Sequence, residues 1–237
     1  MTTWDECNGL NHLIPLSLEP WRIVEAQHIS SSRDLVDTID EHDLLETLLE
    51  ETKPFISPKK HYLIFTPFRY PPLKYGSRFG SLDQPSLWYG SLELETAFAE
   101  VAYYRRQFLK DTHGALGYIE TPVTAFCTYL KTHRGIDLTH IPFADYHQLT
   151  SSKESHTYSQ SLGKAMRQAH IEAFIYFSAR TDNPSKNIAA YTPNVFHMKK
   201  NQYIHNQQNW TCIANKNSIE FIRCDMLKNE RLTFTIE

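Results

Sequence analysis

Residues 68–100 read FRYPPLKYGSRFGSLDQPSLWYGSLELETAFAE, and the rest of the chain is organised around this stretch. It combines two arginines, a cluster of aromatic residues, three glycines and a glutamate that ends an apolar run. Arginine forks hold phosphates bidentately, aromatic faces hold flat rings, and a carboxylate can stabilise a sugar cation as it forms. Together these groups would suit a dinucleotide that is split at its glycosidic bond.

The composition is that of an ordinary globular protein, with 41% hydrophobic and 22% charged residues. A chain of 237 residues suits one large domain, or one domain with an appendage, and can bury a substantial core. The formal net charge of −3 argues against broad nucleic-acid binding, which depends on a basic surface, but it allows a local basic pocket. We therefore expect no nucleic acid among the direct partners.

The cysteine, histidine and hydropathy patterns bear on the cellular location and on whether the protein binds a metal or a membrane. Cys7, Cys127, Cys212 and Cys224 are scattered without a C-x-x-C pair, which favours reduced thiols in a cytosolic protein. The 12 histidines show no zinc-site spacing, so we expect no metal. No apolar run approaches the roughly 18 residues of a membrane span, and no signal-peptide pattern begins the chain. We expect a cytoplasmic location and no membrane contact.

Residues 1–55 are expected to form a helical appendage. Residues 1–20 include two prolines and predict an irregular lead-in. One helix is predicted to begin near Arg33, and a second, over residues 41–51, carries a stripe of four leucines. The region is acidic, which is typical of a solvated helix face, although a docking face for a basic partner or a homodimer contact stays open. The catalytic domain would then occupy residues 56–237.

The remaining chain mixes strand-like runs with helical spacings and indicates an α+β fold. Helices are predicted over residues 94–108 and 157–169, and residues 68–80 are expected to be a loop. The predicted strands cover residues 61–65, 87–89, 115–130 with an interruption at Pro122, 136–138, 173–178, 187–191, 210–214 and 219–224. The last two strands would form a hairpin.

None of the common nucleotide-binding or nucleophile motifs occurs. The chain lacks G-x-G-x-x-G, G-x-x-x-x-G-K-[ST] and G-x-S-x-G, so Rossmann, P-loop and nucleophile-elbow sites are not expected. The site candidates that remain are Arg69, Arg78, Trp88 or Tyr89, Glu100 and Ser178. Each has a structural alternative: an ion-paired arginine, a packed aromatic ring, an exposed helical carboxylate or a polar strand end. The glycines beside Arg78 would let backbone approach a ligand closely, which favours the functional interpretation there.

The order of these residues resembles the RES domain family. The motifs that carry the resemblance are Arg69, Gly76-Ser77-Arg78-Phe79, Trp88-Tyr89-Gly90, Glu95-Thr96-Ala97 with Glu100, Tyr176-Phe177-Ser178-Ala179-Arg180 and Asn187-Ile188-Ala189. They span roughly residues 62–196. The family is named for an arginine, a glutamate and a serine, and is best known for the toxins of bacterial toxin–antitoxin pairs. The resemblance implies an ADP-ribosyltransferase-like mixed β core flanked by helices, and NAD+ consumption by hydrolysis or phosphorolysis.

The resemblance also implies roles for individual residues. It makes Arg78, Glu100 and Ser178 the catalytic set. The implied substrate-binding set is Arg69, Tyr89, Trp88 and Arg180. Gly80 stands where the family motif has an asparagine, so no contact from an asparagine side chain is expected at that position.

A mechanism follows from these implied roles. Arg69 and Arg78 would clamp the pyrophosphate, Tyr89 would stack on nicotinamide, Ser178 would position the ribose or carboxamide, and Glu100 would stabilise an oxocarbenium-like transition state. Nicotinamide departs neutral, so no general acid is demanded. NAD+ would be a substrate rather than a cofactor, and inorganic phosphate could replace water as co-substrate.

Three alternatives stay open. The protein could transfer ADP-ribose to another protein, or it could be a catalytically idle binding module of the same fold. A ribonuclease-like toxin would need a basic groove and a His or Lys acid–base pair, which the sequence does not show. A cognate antitoxin is a family-level expectation, and it would cover the Arg78–Glu100 pocket.

Overall fold

The computed structural model of the protein describes residues 2–26, 32, 35–52, 61–70, 74–112, 117–181, 183–225 and 230–235. Within these residues one large mixed sheet is flanked by helices. The predicted α+β class is therefore confirmed.

The helices of the described residues are mostly short. The α-helices are α1 (Thr3–Glu6), α2 (Ile39–Glu51), α3 (Tyr62–Arg69), α4 (Leu94–Asp111), α5 (His147–Thr150) and α6 (Thr157–Gln168). Further 3₁₀ turns occupy Gly9–His12, Phe143–Tyr146 and Pro193–Val195. The predicted helices over residues 41–51, 94–108 and 157–169 correspond to α2, α4 and α6, and are confirmed.

All ten strands of the described residues belong to one sheet. They are β1 (Ile14–Leu18), β2 (Trp21–Glu25), β3 (Trp88–Ser91), β4 (Ile119–Asp137), β5 (Ala173–Phe177), β6 (Lys186–Ala190), β7 (Phe196–His197), β8 (Ile204–Ala214), β9 (Ser218–Arg223) and β10 (Arg231–Thr235). The order is β10-β9-β8-β4-β2-β3-β6-β5, and β1 and β7 also pair with β4. The strands predicted at residues 87–89, 173–178 and 187–191 and the hairpin of β8 and β9 are confirmed.

The 19-residue strand β4 organises the sheet. Its first half pairs antiparallel with β2 and β8, while residues 135–137 pair parallel with β5. Because β5 also continues through β6 and β3 to β2, these five strands form a closed circuit of pairings. The circuit sets β3 beside β6, with Ser91 opposite Asn187. Two polar residues from distant parts of the chain are thereby brought into register.

Helix α4 packs on the sheet through its apolar face. Phe98 is fully buried, with its ring centroid 4.7 Å from that of Trp210 and 4.6 Å from that of Phe221. Glu100 follows Phe98 by two residues, and therefore lies about 200° further round the helix axis. The packing of Phe98 fixes the direction in which Glu100 projects.

The prediction of a strand over residues 61–65 is wrong. These residues lie at the start of α3, where the ring Nδ1 of His61 accepts a hydrogen bond of 3.2 Å from the backbone N–H of Leu63. Ile64 is fully buried under the sheet residues around Trp88. The aromatic and β-branched composition favoured a strand, but such preferences are weak and tertiary packing overrides them. Residues 68 and 69, predicted as loop, complete the same helix.

The prediction that Pro122 interrupts the strand over residues 115–130 is also wrong. Strand β4 continues through this residue, which lies opposite Thr211 of β8. The carbonyl oxygen of Pro122 accepts a hydrogen bond of 2.9 Å from the backbone N–H of Ala26, so its remaining polar group is satisfied. The same strand absorbs residues 136 and 137, which were expected to form a separate short strand.

The N-terminal expectations need the largest correction. Residues 1–20 were expected to be irregular, yet they contain α1, a 3₁₀ turn and β1. Strands β1 and β2 pair with β4, so residues 1–55 are not a purely helical appendage, and a boundary at residue 55 would divide one sheet. Residues 27–31, 33 and 34, where a helix was predicted to begin near Arg33, lie outside the described residues. Helix α2 carries the predicted leucine stripe, and none of its residues is buried.

Candidate active site

A cavity of about 450 Å³ lies beside α4 and β3. Its walls come from β2, the turn at residues 77–81, β3, α4, β5 and β6. The lining residues with functional groups of interest are Arg22, Ser77, Arg78, Tyr89, Ser91, Glu100, Tyr104, Tyr176 and Asn187. The closed circuit of strands therefore contributes four of the elements that surround the cavity.

The carboxylate of Glu100 is held by two neutral donors. Its Oε1 atom accepts hydrogen bonds from Ser178 Oγ at 2.7 Å and from Asn187 Nδ2 at 2.6 Å. No described residue donates a hydrogen bond to Oε2. One carboxylate oxygen is thus fixed by the protein, and the other is available to a ligand.

The two donors are themselves fixed by neighbouring groups. Ser178 Oγ accepts a hydrogen bond of 3.1 Å from the backbone N–H of Arg180. Asn187 Oδ1 accepts one of 2.7 Å from Ser91 Oγ, and both of these side chains are almost fully buried. A buried polar side chain is stable when its hydrogen bonds are satisfied, as they are here. The network holds Glu100 in one orientation without placing a cation against it.

Arg78 is positioned by backbone carbonyl groups. The residue is only 9% exposed, and Nη1 donates to the carbonyl oxygens of Thr150 at 3.2 Å and Ser152 at 2.9 Å. Within the part of the chain that the structure describes, no carboxylate forms an ion pair with it. The guanidinium is therefore oriented while its positive charge is not neutralised, which suits an anionic ligand.

The turn that carries Arg78 depends on a glycine and a tyrosine. Gly76 has φ +70°, and a Cβ placed there would lie 2.3 Å from the carbonyl oxygen of Gly80. The hydroxyl of Tyr89 accepts a hydrogen bond of 3.1 Å from the backbone N–H of Phe79 and lies 2.9 Å from Ser77 Oγ. Burial raises the pKa of Tyr89 to about 12, so the hydroxyl stays protonated near neutral pH. Tyr89 thus ties the arginine turn to β3.

Arg22 is a second cation at the cavity, and the sequence did not reveal it. Its Nη1 atom donates to the carbonyl oxygen of Tyr89 at 2.9 Å, and its guanidinium lies 5.3 Å from the ring centroid of Trp88. Its Nε atom is buried without a hydrogen-bond partner, and burial lowers the pKa of the guanidinium to about 10. Among the described residues it has no carboxylate partner. An anion in the cavity would supply the missing interaction.

The predicted site residues do not all meet at this cavity. Arg78, Tyr89 and Glu100 line it, and Ser178 reaches it through Glu100. Trp88 is fully buried, with its ring 4.8 Å from that of Phe196, so it supports β3 from behind.

Two arginines that were predicted to bind substrate are not among the residues that line this cavity. Arg69 ends α3 and forms an ion pair of 2.8 Å with Glu50 of α2, so the structure does not place it beside Arg78. The guanidinium carbon of Arg180 lies 3.3 Å from the ring centroid of Tyr103. That side chain lines a second, smaller cavity. The structure therefore brings Arg22, and not Arg69, to the same cavity as Arg78.

Three further residues of the site were missed by sequence reasoning. Asn187 and Ser91 support Glu100, and Tyr176 is a buried member of the cavity wall. Burial raises the pKa of Tyr176 well above its usual range, with the nearby Glu100 charge a further cause. Asn187 lies inside a motif that carries the family resemblance, and its polar side chain directly before the apolar run Ile188-Ala189-Ala190 was the available signal.

Two further kinds of feature are absent from the described residues. No group of three or more His, Cys, Asp or Glu side chains in them is arranged to hold a metal ion. None of their helices is both long and apolar enough to cross a membrane.

Comparison with known proteins places the fold. A search of the solved structures finds a chain of the M. tuberculosis MbcT–MbcA toxin–antitoxin complex, with a TM-score of 0.51, 9% sequence identity, and coverage of 85% of this chain and 88% of that one. At this identity the likeness concerns the fold alone. No curated protein sequence matches the chain. The sequence model of the RES domain matches residues 54–214, which include Arg78, Glu100, Ser178 and Asn187. This chain belongs to the RES domain family.

Proposed function

We propose that the protein is an enzyme that cleaves the bond between nicotinamide and ribose in NAD+, with water or inorganic phosphate as acceptor. Membership of the RES domain family supports an NAD+-acting protein. The single observation that carries the proposal is one cavity with Arg22 and Arg78 on its walls and the Glu100 carboxylate held by Ser178 and Asn187.

The arginines suit the pyrophosphate of the substrate. Two guanidinium groups without carboxylate partners among the described residues can neutralise its charge, and both are already oriented by carbonyl groups. Preorganised groups lose little freedom on binding, so their interaction energy is available to position the reacting bond. Tyr89 is proposed to contact the nicotinamide ring from the adjoining wall.

Glu100 is proposed to act on the ribose. When the bond between ribose and nicotinamide breaks, its electron pair passes to the pyridinium nitrogen, and nicotinamide leaves as a neutral molecule. Positive charge then develops on the ribose, where a fixed carboxylate stabilises it. A water molecule or a phosphate oxygen forms the new bond to carbon, and water releases its proton to solvent. One carboxylate therefore suffices.

Nicotinamide release tests this proposal. Purified protein is incubated with NAD+, with and without inorganic phosphate, and the products are separated by chromatography. Free nicotinamide with ADP-ribose indicates hydrolysis, and free nicotinamide with a phosphorylated ADP-ribose indicates phosphorolysis. Attachment of ADP-ribose to an added protein lysate would favour transfer to a protein. Unchanged NAD+ in all three mixtures would contradict the proposal and leave a binding module of the same fold.

We also propose that the protein acts as a toxin in the cytoplasm and is restrained by a cognate antitoxin. Support comes from the family and from the similar fold found in a toxin–antitoxin complex. The antitoxin would block the entrance to the cavity that contains Arg78 and Glu100. Expression of the chain alone should deplete cellular NAD+ and arrest growth, whereas expression of Glu100→Gln should not. Normal growth with undiminished NAD+ at high expression would contradict the toxin role.

A further inference from the structure

Helix α4 separates two cavities and presents a different stripe of residues to each. Ala97, Glu100, Val101 and Tyr104 line the main cavity. Ala99, Ala102, Tyr103 and Arg106 line a second cavity of about 240 Å³. Both sets follow helical spacings of three and four, so they occupy different faces of one helix. The second cavity thus lies on the other face of α4, and Arg180, which lines it, is still close enough to the main cavity to interact electrostatically with Tyr104.

The second cavity is strongly basic. Arg106, Lys153 and Arg180 line it, and no aspartate or glutamate among the described residues does so. The floor is apolar, with Ile219 and Phe234 from the sheet. Lys153 and Arg180 have no ion pair with a described residue, and two like charges above an apolar floor repel each other, so a bound anion would remove that repulsion. The charge and the small volume both favour a compact anionic ligand.

The side chain of Arg180 is already oriented by its contact with Tyr103. Its guanidinium lies against the ring of Tyr103, with 3.3 Å between the guanidinium carbon and the ring centroid. Stacking of this kind restrains the planar group while leaving its N–H edge available. The Nε atom of Arg180 is buried without a hydrogen-bond partner, and the side chain forms no ion pair with any described residue. A buried donor without an acceptor could donate to an anion that enters the cavity.

We propose that this second cavity is a binding site for a small phosphate-bearing ligand, with Arg180 and Lys153 as its principal contacts. A phosphate monoester or orthophosphate offers several oxygens to a guanidinium fork and an ammonium group together. The apolar floor would accept the carbon skeleton of a nucleoside monophosphate, whereas orthophosphate would engage the cations alone. The proposal goes beyond the proposed NAD+ cleavage and does not depend on it.

Binding there would be coupled to the main cavity through a short path. The backbone N–H of Arg180 donates to Ser178 Oγ, and Ser178 Oγ donates to Glu100. A ligand that fixes the Arg180 side chain would also restrain the backbone at residues 178–180. We therefore expect phosphate occupancy of the second cavity to stabilise the segment that holds Glu100.

Calorimetric titration in the absence of NAD+ tests the site. The probes are orthophosphate, adenosine monophosphate and adenosine, the last of which lacks the phosphate group. Arg180→Gln and Lys153→Gln should each weaken binding of the phosphate probes about tenfold or more, the scale of one charged hydrogen bond. Lys131→Gln, an exposed lysine on β4, is the matched control and should leave affinity unchanged. Binding of both phosphate probes would indicate recognition of the phosphate alone, and binding of the monophosphate alone would indicate a nucleotide.

Arg78→Gln separates the two cavities. If the probes occupy the second cavity, this variant binds them as the wild type does. Affinity that falls in Arg78→Gln but persists in Arg180→Gln and Lys153→Gln would place the ligand in the main cavity and overturn the proposal. Absence of heat and of any thermal stabilisation with both phosphate probes would overturn it equally.

Discussion

The carboxylate wall and the arginine wall of the main cavity are held by different kinds of contact. Two side chains support Glu100: that of Asn187 in β6 and that of Ser178, the residue that follows β5. Backbone carbonyl oxygens support Arg22 and Arg78. In both walls the partners are neutral, so neither charge is cancelled. The difference lies in the support: Glu100 is held by side chains that have further hydrogen-bond partners of their own, whereas the arginines are held by backbone carbonyl groups.

Glu100→Gln should have the largest effect of any single change in the carboxylate wall. The substitution removes the charge but keeps the size and one acceptor oxygen. We expect nicotinamide release from NAD+ to fall by about 10²–10³-fold, the scale for losing one preorganised electrostatic group. Glu95→Gln, on the exposed face of the same helix, is the control. Equal rates in the two variants would contradict a catalytic role for Glu100.

Arg78→Lys tests the arginine wall. Lysine keeps the charge but cannot maintain the planar fork that bonds two carbonyl groups and still meets a phosphate. We expect kcat/KM for NAD+ to fall by about 10–100-fold, chiefly through KM. Arg69→Lys is the matched control, because Arg69 is not among the cavity-lining residues and forms an ion pair with Glu50. A greater loss in Arg69→Lys than in Arg78→Lys would restore the clamp predicted from sequence.

Asn187→Ala tests whether the hydrogen bond from Asn187 positions Glu100. Loss of one donor leaves Glu100 with Ser178 alone, so we expect kcat to fall about tenfold while KM changes little. Asn194→Ala, at an exposed asparagine, controls for general effects. A change confined to KM would indicate that Asn187 contacts substrate and is not a positioning residue.

Arg22→Met should raise the stability of the folded protein, and this effect is the smallest of those expected here. Burial lowers the pKa of Arg22 to about 10, so below that pH the charged form destabilises the folded state. Methionine fills similar space without the charge, and we expect the free energy of unfolding at neutral pH to rise by about 1 kcal/mol. Denaturant titration measures it, and NAD+ turnover should fall in the same variant. A less stable Arg22→Met protein would show that the arginine contributes to the fold.

Sequence reasoning succeeded where the signal was local. The apolar spacing of α4 placed Glu100 on a helix, and the buried run before Ser178 placed that serine at a strand end. The hairpin of β8 and β9 was likewise evident from two strand-like runs around a polar turn. These features depend on residues a few positions apart.

The features that could not be predicted depend on contacts between residues that are far apart in the sequence. Arg22 lies in β2, which is a strand because it pairs with residues 123–127 of β4, about a hundred positions later. The ion pair of Arg69 with Glu50 depends on how α2 and α3 meet. Asn187 acquires its role because β6 aligns it with Ser91. Such contacts are tertiary, so neither composition nor periodicity reports them.

The most direct test of the shared cavity is a crystal structure of the Glu100→Gln variant with NAD+. We expect the pyrophosphate between Arg22 and Arg78, and the nicotinamide-bearing ribose beside residue 100. A dinucleotide bound away from these three residues would contradict the account.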